Sequence, residues 1–214
     1  MNSASAGTWR ANWNARDFRL QVIATLVLLP LVLFLLANFL NRVEQRQGVT
    51  LPDPVLALFH PRDLTWITFG CIYLGLLAGL IVLARHPRLF MLAVQSYIVM
   101  VVIRIAAMYL VPLDPPPGMI PLKDPFVEFF GTGRLLTKDL FFSGHTSTLL
   151  LFFLIVPERG MKILFLCCTV AVAVCVLLQH VHYSIDVFAA FFFGYGAYRI
   201  AWHGQRRLDI FTHD

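Results

Sequence analysis

Six apolar runs, most close to the length of a lipid bilayer, constrain this chain of 214 residues more than any other feature. A helix needs about 20 predominantly apolar residues to cross a hydrocarbon core. Leu20–Leu40, Leu64–Ala84, Leu89–Val111 and Met161–Gln179 meet that length, and Ile185–Trp202 comes close. Ser143–Val156 is shorter, with Lys138-Asp139-Leu140-Phe141-Phe142 leading into it. Pro30 marks an expected kink in the first run. Composition agrees: 58% of the residues are hydrophobic, 14% are charged, and the mean hydropathy is +0.73. A soluble domain carries nearer a quarter charged residues, and a chain this short cannot hide the excess apolar surface in its own core. The expected fold is an all-α membrane protein, a six-transmembrane-helix bundle. An interfacial segment over 1–19, a membrane catalytic domain over 20–202 and a cytoplasmic tail over 203–214 make up the expected organisation. No cleavable signal is expected, because the first apolar run is too long for one.

Loop charge sets the expected orientation. One set of loops and termini carries ten basic residues against four acidic ones; the opposite set carries six basic against seven acidic. Both termini are therefore expected in the cytoplasm, and the remaining loops outside. The net charge of +5 is spread over the ends of apolar runs, which fits anionic lipid head groups rather than nucleic acid. Cys71, Cys167, Cys168 and Cys175 all lie inside apolar runs and read as small buried hydrophobes. The external loop 112–139, with Pro112-Leu113-Asp114-Pro115-Pro116-Pro117-Gly118 at its start and Phe126-Val127-Glu128-Phe129-Phe130 further on, reads as a lid or as a plain connector.

Ionisable residues at membrane depth are costly and mark function by default. Three clusters stand out. In Ser143-Gly144-His145-Thr146, Ser143 suits a helix N-cap, and Gly144 lets a ligand approach backbone amides that attract anions. His145 would stand beside that anion; a capped helix carrying an interfacial histidine is the plain alternative. In His180-Val181-His182-Tyr183-Ser184-Ile185-Asp186, the spacing of His182 and Asp186 puts them on one helical face, as a nucleophile–orienter pair or a structural pair. No further ligand spacing supports a metal at His180 and His182. Arg104 must pair with phosphate or bridge to Asp186 or Asp139. By topology all of these gather at the external end, together with Lys138, Asp139 and Tyr109.

At these residues the chain resembles the sphingomyelin synthase family, a branch of the type-2 phosphatidate phosphatase superfamily. The matching pieces are Asp139-x-x-x-Ser143-Gly144-His145-Thr146 and His182-Tyr183-Ser184-x-Asp186-Val187. Weaker echoes are Leu51-Pro52-Asp53, and Tyr97 with Arg104-x-x-x-Met108-Tyr109. The resemblance implies metal-independent, cofactor-free transfer of a phosphorylated head group. His182 would attack phosphorus, Asp186 would orient it, and His145 would protonate the departing diacylglycerol. Ser143, Gly144, Arg104, Lys138, Asp139, His180 and Tyr109 would hold phosphate or substrate. The donor would be a phospholipid carrying phosphocholine or phosphoethanolamine. The acceptor would be ceramide or a similar lipid alcohol, or water in a phosphatase or phospholipase C; a non-enzymatic carrier is the other reading. The site would face the periplasm or a lumen, most simply at a bacterial inner membrane. The sequence departs from the family in having Val181 between the paired histidines and Thr137-Lys138 before Asp139. It also has Val176 where the phosphatase branch has arginine.

Overall fold

A computed structural model describes residues 8–122 and 136–211. Phe126–Phe130, with the charges at Lys123, Asp124, Glu128 and Arg134, lies outside the described residues, as does the rest of 123–135 within the expected lid. Among the described residues there are seven α-helices: α1 Trp9–Trp13, α2 Arg16–Gln45, α3 Thr65–Ala84, α4 Pro87–Leu110, α5 Gly144–Ile155, α6 Arg159–Leu178 and α7 Ser184–Phe211. Among these same described residues a single 3-10 turn spans Leu56–Leu58, and no strand forms beyond one isolated bridge between Val49 and Leu113.

The helices start and stop near the edges of the apolar runs, but they overrun them where the chain meets water. Hydropathy measures the slab, whereas backbone hydrogen bonding continues past it. Thus α2 extends back to Arg16 and on to Gln45, and α7 runs on to Phe211. Among the described residues four helices, α2, α3, α4 and α6, are long and apolar enough to cross a membrane. At about 1.5 Å per residue, the 12 residues of α5 reach only about 18 Å, so α5 alone does not cover a hydrocarbon core of about 30 Å. The long α7 is diluted by Asp186, Tyr195 and Arg199.

Helix α4 lies in the middle, packed on α7 and α2 and less closely on α5 and α3; α5 sits against α6 and α7, and α3 against α6. The shared core includes Phe142, Leu149, Phe152, Phe165, Val176 and Ala190. Large apolar side chains point outward around the bundle, including Leu26 and Phe34 on α2, Trp66 and Leu74 on α3, and Phe188 and Phe192 on α7. So many outward-facing large apolar side chains fit a lipid-facing surface. Cys175 is buried and Cys71 and Cys168 are half-buried, but Cys167 corrects the expectation by lying on the outward face of α6; all four thiols are free.

The bundle has two polar ends. At one, Trp9 donates its indole N–H to the carbonyl of Ala84 at 2.7 Å, and Arg88 binds Asn12 at 3.0 Å and Asp17 at 3.1 Å. His86 meets Glu158 at 3.3 Å there. The N-terminal helix, the α3–α4 junction and the α5–α6 junction are thus tied together. The other end collects the C-terminal ends of α2, α4 and α6 and the N-terminal ends of α3, α5 and α7. All three chemical clusters lie there.

Close approach of α3 to α5 depends on glycine. A Cβ on Gly79 would stand 2.5 Å from the Phe152 ring, whereas one on Gly70 would meet nothing within 4 Å. Overpacking of this kind costs about 1–3 kcal/mol. Gly79→Ala should therefore lower the thermal unfolding midpoint of the detergent-solubilised protein, and Gly70→Ala should leave it unchanged or raise it.

Candidate functional site

The N-terminus of α5 is built before any ligand is considered. Ser143 caps the helix, its hydroxyl accepting from the Thr146 amide, while the Ser147 hydroxyl donates back to the Ser143 carbonyl at 2.8 Å. Free amides at a helix start carry partial positive charge. Arg104 lies directly over them. Its Nε donates to the Phe142 carbonyl at 2.8 Å, and its Nη2 meets Asp139 Oδ1 at 2.5 Å. Gly144 is the reason the guanidinium fits: a Cβ there would collide with Nη1 and would lie 2.8 Å from Cζ. Of the partners foreseen for Arg104, the structure therefore supplies Asp139, not Asp186. His145 follows in the same turn, half-buried, with its ring edge-on to Phe69.

The second cluster starts from the end of α6. Its last turn closes in a Schellman pattern, with the His180 amide bonded to the Leu177 carbonyl and the Val181 amide to the Val176 carbonyl, both at 2.9 Å. This pattern needs a left-handed residue, normally glycine, yet His180 fills it with φ of 54°. The His180 ring does not turn toward the α5 terminus. Its Nδ1 is 3.0 Å from the Pro117 carbonyl, and it packs edge-on to Phe59. Two residues later His182 is buried, its Nδ1 3.4 Å from Asp186 Oδ2. That is ion-pair reach but longer than a good hydrogen bond, and neither His182 Nδ1 nor Asp186 Oδ1 has a hydrogen-bond partner. Asp186 Oδ2 also accepts from the Tyr183 amide at 3.0 Å, the carboxylate half of a capping box.

The two clusters are joined directly. The Ser143 amide donates to the Asp186 carbonyl at 3.3 Å. The start of α5 and the start of α7 therefore share one hydrogen bond, with His145 and His182 each within a few residues of it.

Around this join, three carboxylates unremarked as site residues in the sequence reading hold the loops. Asp53 accepts from the Ser184 amide at 2.7 Å and from Val55 and Leu56 at 2.9 and 3.2 Å. Burial works to raise its pKa, but these hydrogen bonds, led by Ser184, outweigh that and hold the carboxyl below its ordinary value of 3.8. Glu44, at the end of α2, accepts from the amides of Thr137 and Lys138 at 3.0 and 3.1 Å. Asp114 pairs with Lys138 at 2.7 Å, while Lys138 also reaches the Arg46 carbonyl. The Tyr183 hydroxyl accepts from the Leu51 amide and donates to the Asp114 carbonyl at 2.9 Å. Gln179, fully buried, joins Leu64, Thr65 and Ile120. The Leu51-Pro52-Asp53 string was the one local signal for this frame; the others join loops far apart in sequence. Tyr109 stands away from the site on an exposed face, because five residues past Arg104 is well over a third of a turn around the helix. Its carbonyl holds Arg46 at 2.7 Å.

A cavity of about 460 Å³ opens beside the α5 terminus, with Arg104, Asp139, Gly144 and His145 at its polar end. His182 and Asp186 do not line it; they lie behind, enclosed. Among the described residues, no group of three or more His, Cys, Asp or Glu side chains is placed to hold a metal ion.

The family described as PAP2 superfamily C-terminal matches residues 138–203, a span that begins at Lys138 and takes in both histidine segments and Asp186. This match supports a relationship to the type-2 phosphatidate phosphatase superfamily, and with it lipid phosphatase or phosphotransferase chemistry in general. No curated protein matches the chain.

Asp53→Ala removes an N-terminal cap from α7 and should cost about 1 kcal/mol at neutral pH. Because the folded-state pKa is lowered, the Asp53 contribution is present above its ordinary value and fades as pH falls through the lowered one. The difference in unfolding midpoint between wild type and Asp53→Ala should accordingly shrink below about pH 4.

Proposed function

We propose that this protein is a membrane phospholipid head-group phosphotransferase that works through a phosphohistidine. The observation that carries this reading is the Ser143–Asp186 hydrogen bond, which joins a histidine beside an anion-attracting helix terminus to a histidine backed by a carboxylate.

The donor's phosphate would sit against the α5 amides and Arg104, where helix dipole and guanidinium both favour negative charge. Asp186 facing Nδ1 leaves Nε2 of His182 as the nucleophile. Nε2 attacks phosphorus, the bond from phosphorus to the glycerol oxygen breaks, and protonated His145 gives its proton to the departing diacylglycerol. In the second half, neutral His145 takes the proton of an acceptor hydroxyl, that oxygen attacks phosphorus, and the P–N bond to His182 breaks. The long Nδ1–Oδ2 contact fits a pair that tightens as positive charge develops on the ring, since such contacts are often loose before substrate binds.

One observation favours a diester over a monoester. Lys138 is committed to Asp114, so its charge is not spare for a second phosphate charge. Ceramide or a related alcohol is the acceptor favoured here, and phosphocholine or phosphoethanolamine the transferred group. This end of the bundle would face outward, opposite the arginine-rich termini.

Purified protein incubated with head-group-labelled phosphatidylcholine or phosphatidylethanolamine should transfer label to ceramide, resolved by lipid chromatography. His145→Ala and His182→Ala should each reduce transfer by about 10²–10⁴-fold or more, with folding retained. Release of labelled phosphoalcohol regardless of ceramide would replace the transferase with a hydrolase. Undiminished turnover in both variants would remove the mechanism.

A further inference from the structure

The cavity beside His145 is not confined to the polar end. It continues between α2 and α3 as an apolar groove, past Leu33, Leu76 and Met100 to a floor formed by Leu83, Phe90 and Phe152. From Arg104 to Phe90 along α4 the groove descends about 21 Å, taking about 1.5 Å per residue. Its two flanking helices do not close it: α2 rests on α4 and α3 packs chiefly on α6, so the space between them opens sideways toward lipid. Its charged groups, Arg104 and Asp139, lie at the upper end beside the α5 terminus.

We infer that this groove takes one acyl chain of the donor phospholipid, entering sideways between α2 and α3, and that Leu83, Phe90 and Phe152 measure its length. The inference rests on the phospholipid reading above. The polar end assigns the occupant: Arg104, although paired with Asp139 through Nη2, holds Nη1 over Gly144 at the α5 terminus, where a phosphate oxygen would be met by guanidinium and helix amides together, and a hydrocarbon chain below it belongs to the same molecule. The bulk of an aromatic floor beneath aliphatic walls gives the chain a fixed stopping point. Phe152 is held in place by stacking on Phe165 at 5.2 Å and by the close approach of Gly79.

The test uses the full chain in nanodiscs with two photoactivatable phosphatidylcholines, one carrying a diazirine near the carboxyl end of a palmitoyl chain and one at its methyl end. Cross-linked positions are read by mass spectrometry. The proximal label should mark residues around Tyr97, Arg104 and Thr148; the distal label should mark those around Leu83, Phe90 and Phe152. Overlapping labels on outward residues such as Leu26 and Phe34 would overturn the groove. In the transfer assay, Leu80→Trp, which fills the groove about one helical turn above its floor, should raise KM about tenfold or more for dipalmitoyl donor while leaving dihexanoyl donor, whose chains stop short of it, unchanged. Leu26→Trp on the outer face should change neither. An equal effect of Leu80→Trp on both donors would contradict a depth-measuring site. Graded cross-links without any turnover would keep the groove and remove the transferase. Turnover with ungraded cross-links would do the reverse.

Discussion

A single backbone hydrogen bond, from the Ser143 amide to the Asp186 carbonyl, sets the geometry on which the rest of the site depends. Its importance follows from the solvent. In or beside lipid, a peptide group that leaves a helix finds little water, so it must be met by protein. The chain leaves helical structure before α5 and again between α6 and α7, and each break leaves amides and carbonyls to satisfy. Each of these finds a partner within the protein. The Phe142 carbonyl takes Arg104, the Ser143 amide takes Asp186, and the Ser184 amide takes Asp53. The polar cost of two helix breaks is thereby turned into a fixed relation between the segments bearing His145 and His182.

Among the described residues not every buried polar atom is met, and three of the exceptions lie close to the proposed chemistry. His182 Nδ1, Asp186 Oδ1 and His180 Nε2 are buried without hydrogen-bond partners, and His180 holds a backbone conformation that glycine would adopt more easily. A structure built for stability alone would place glycine at 180 and close the His182–Asp186 contact. Unmet groups concentrated at one turn agree with a site that reaches its tightest form only when charge appears on the histidine. Three further orphans, Gln21 Nε2, Thr68 Oγ1 and Ser96 Oγ, lie elsewhere in the bundle and have no such account.

Local signals were legible from sequence, and long-range ones were not. The cap at Ser143 is written in four consecutive residues, and the structure has it. The apolar runs announced helices at nearly every correct place, because a run of that length has few other uses. Spans were harder to count: α5 is a single short helix whose lead-in is irregular, and α7 mixes Tyr195 and Arg199 into an otherwise apolar face. Arg104 was recognisable as a residue needing a partner, yet the choice of Asp139 over Asp186 as its protein partner depends on how two helices and a loop converge. Glu44, Asp114 and Gln179 were invisible for the same reason, since their partners come from loops that only the folded bundle brings near. His180 was expected to hold phosphate or substrate beside His182. Its ring turns the other way because His180 sits in the left-handed turn just past the end of α6.

The most direct test of the central claim is to find the covalent intermediate. Full-length protein mixed with phosphatidylcholine, quenched at early times under alkaline conditions and mapped by mass spectrometry, should carry phosphocholine on His182 and nowhere else. The adduct should be acid-labile and should vanish on addition of ceramide. An adduct on His145 with His182 unmodified, or product formation unaltered in His182→Ala, would contradict the account.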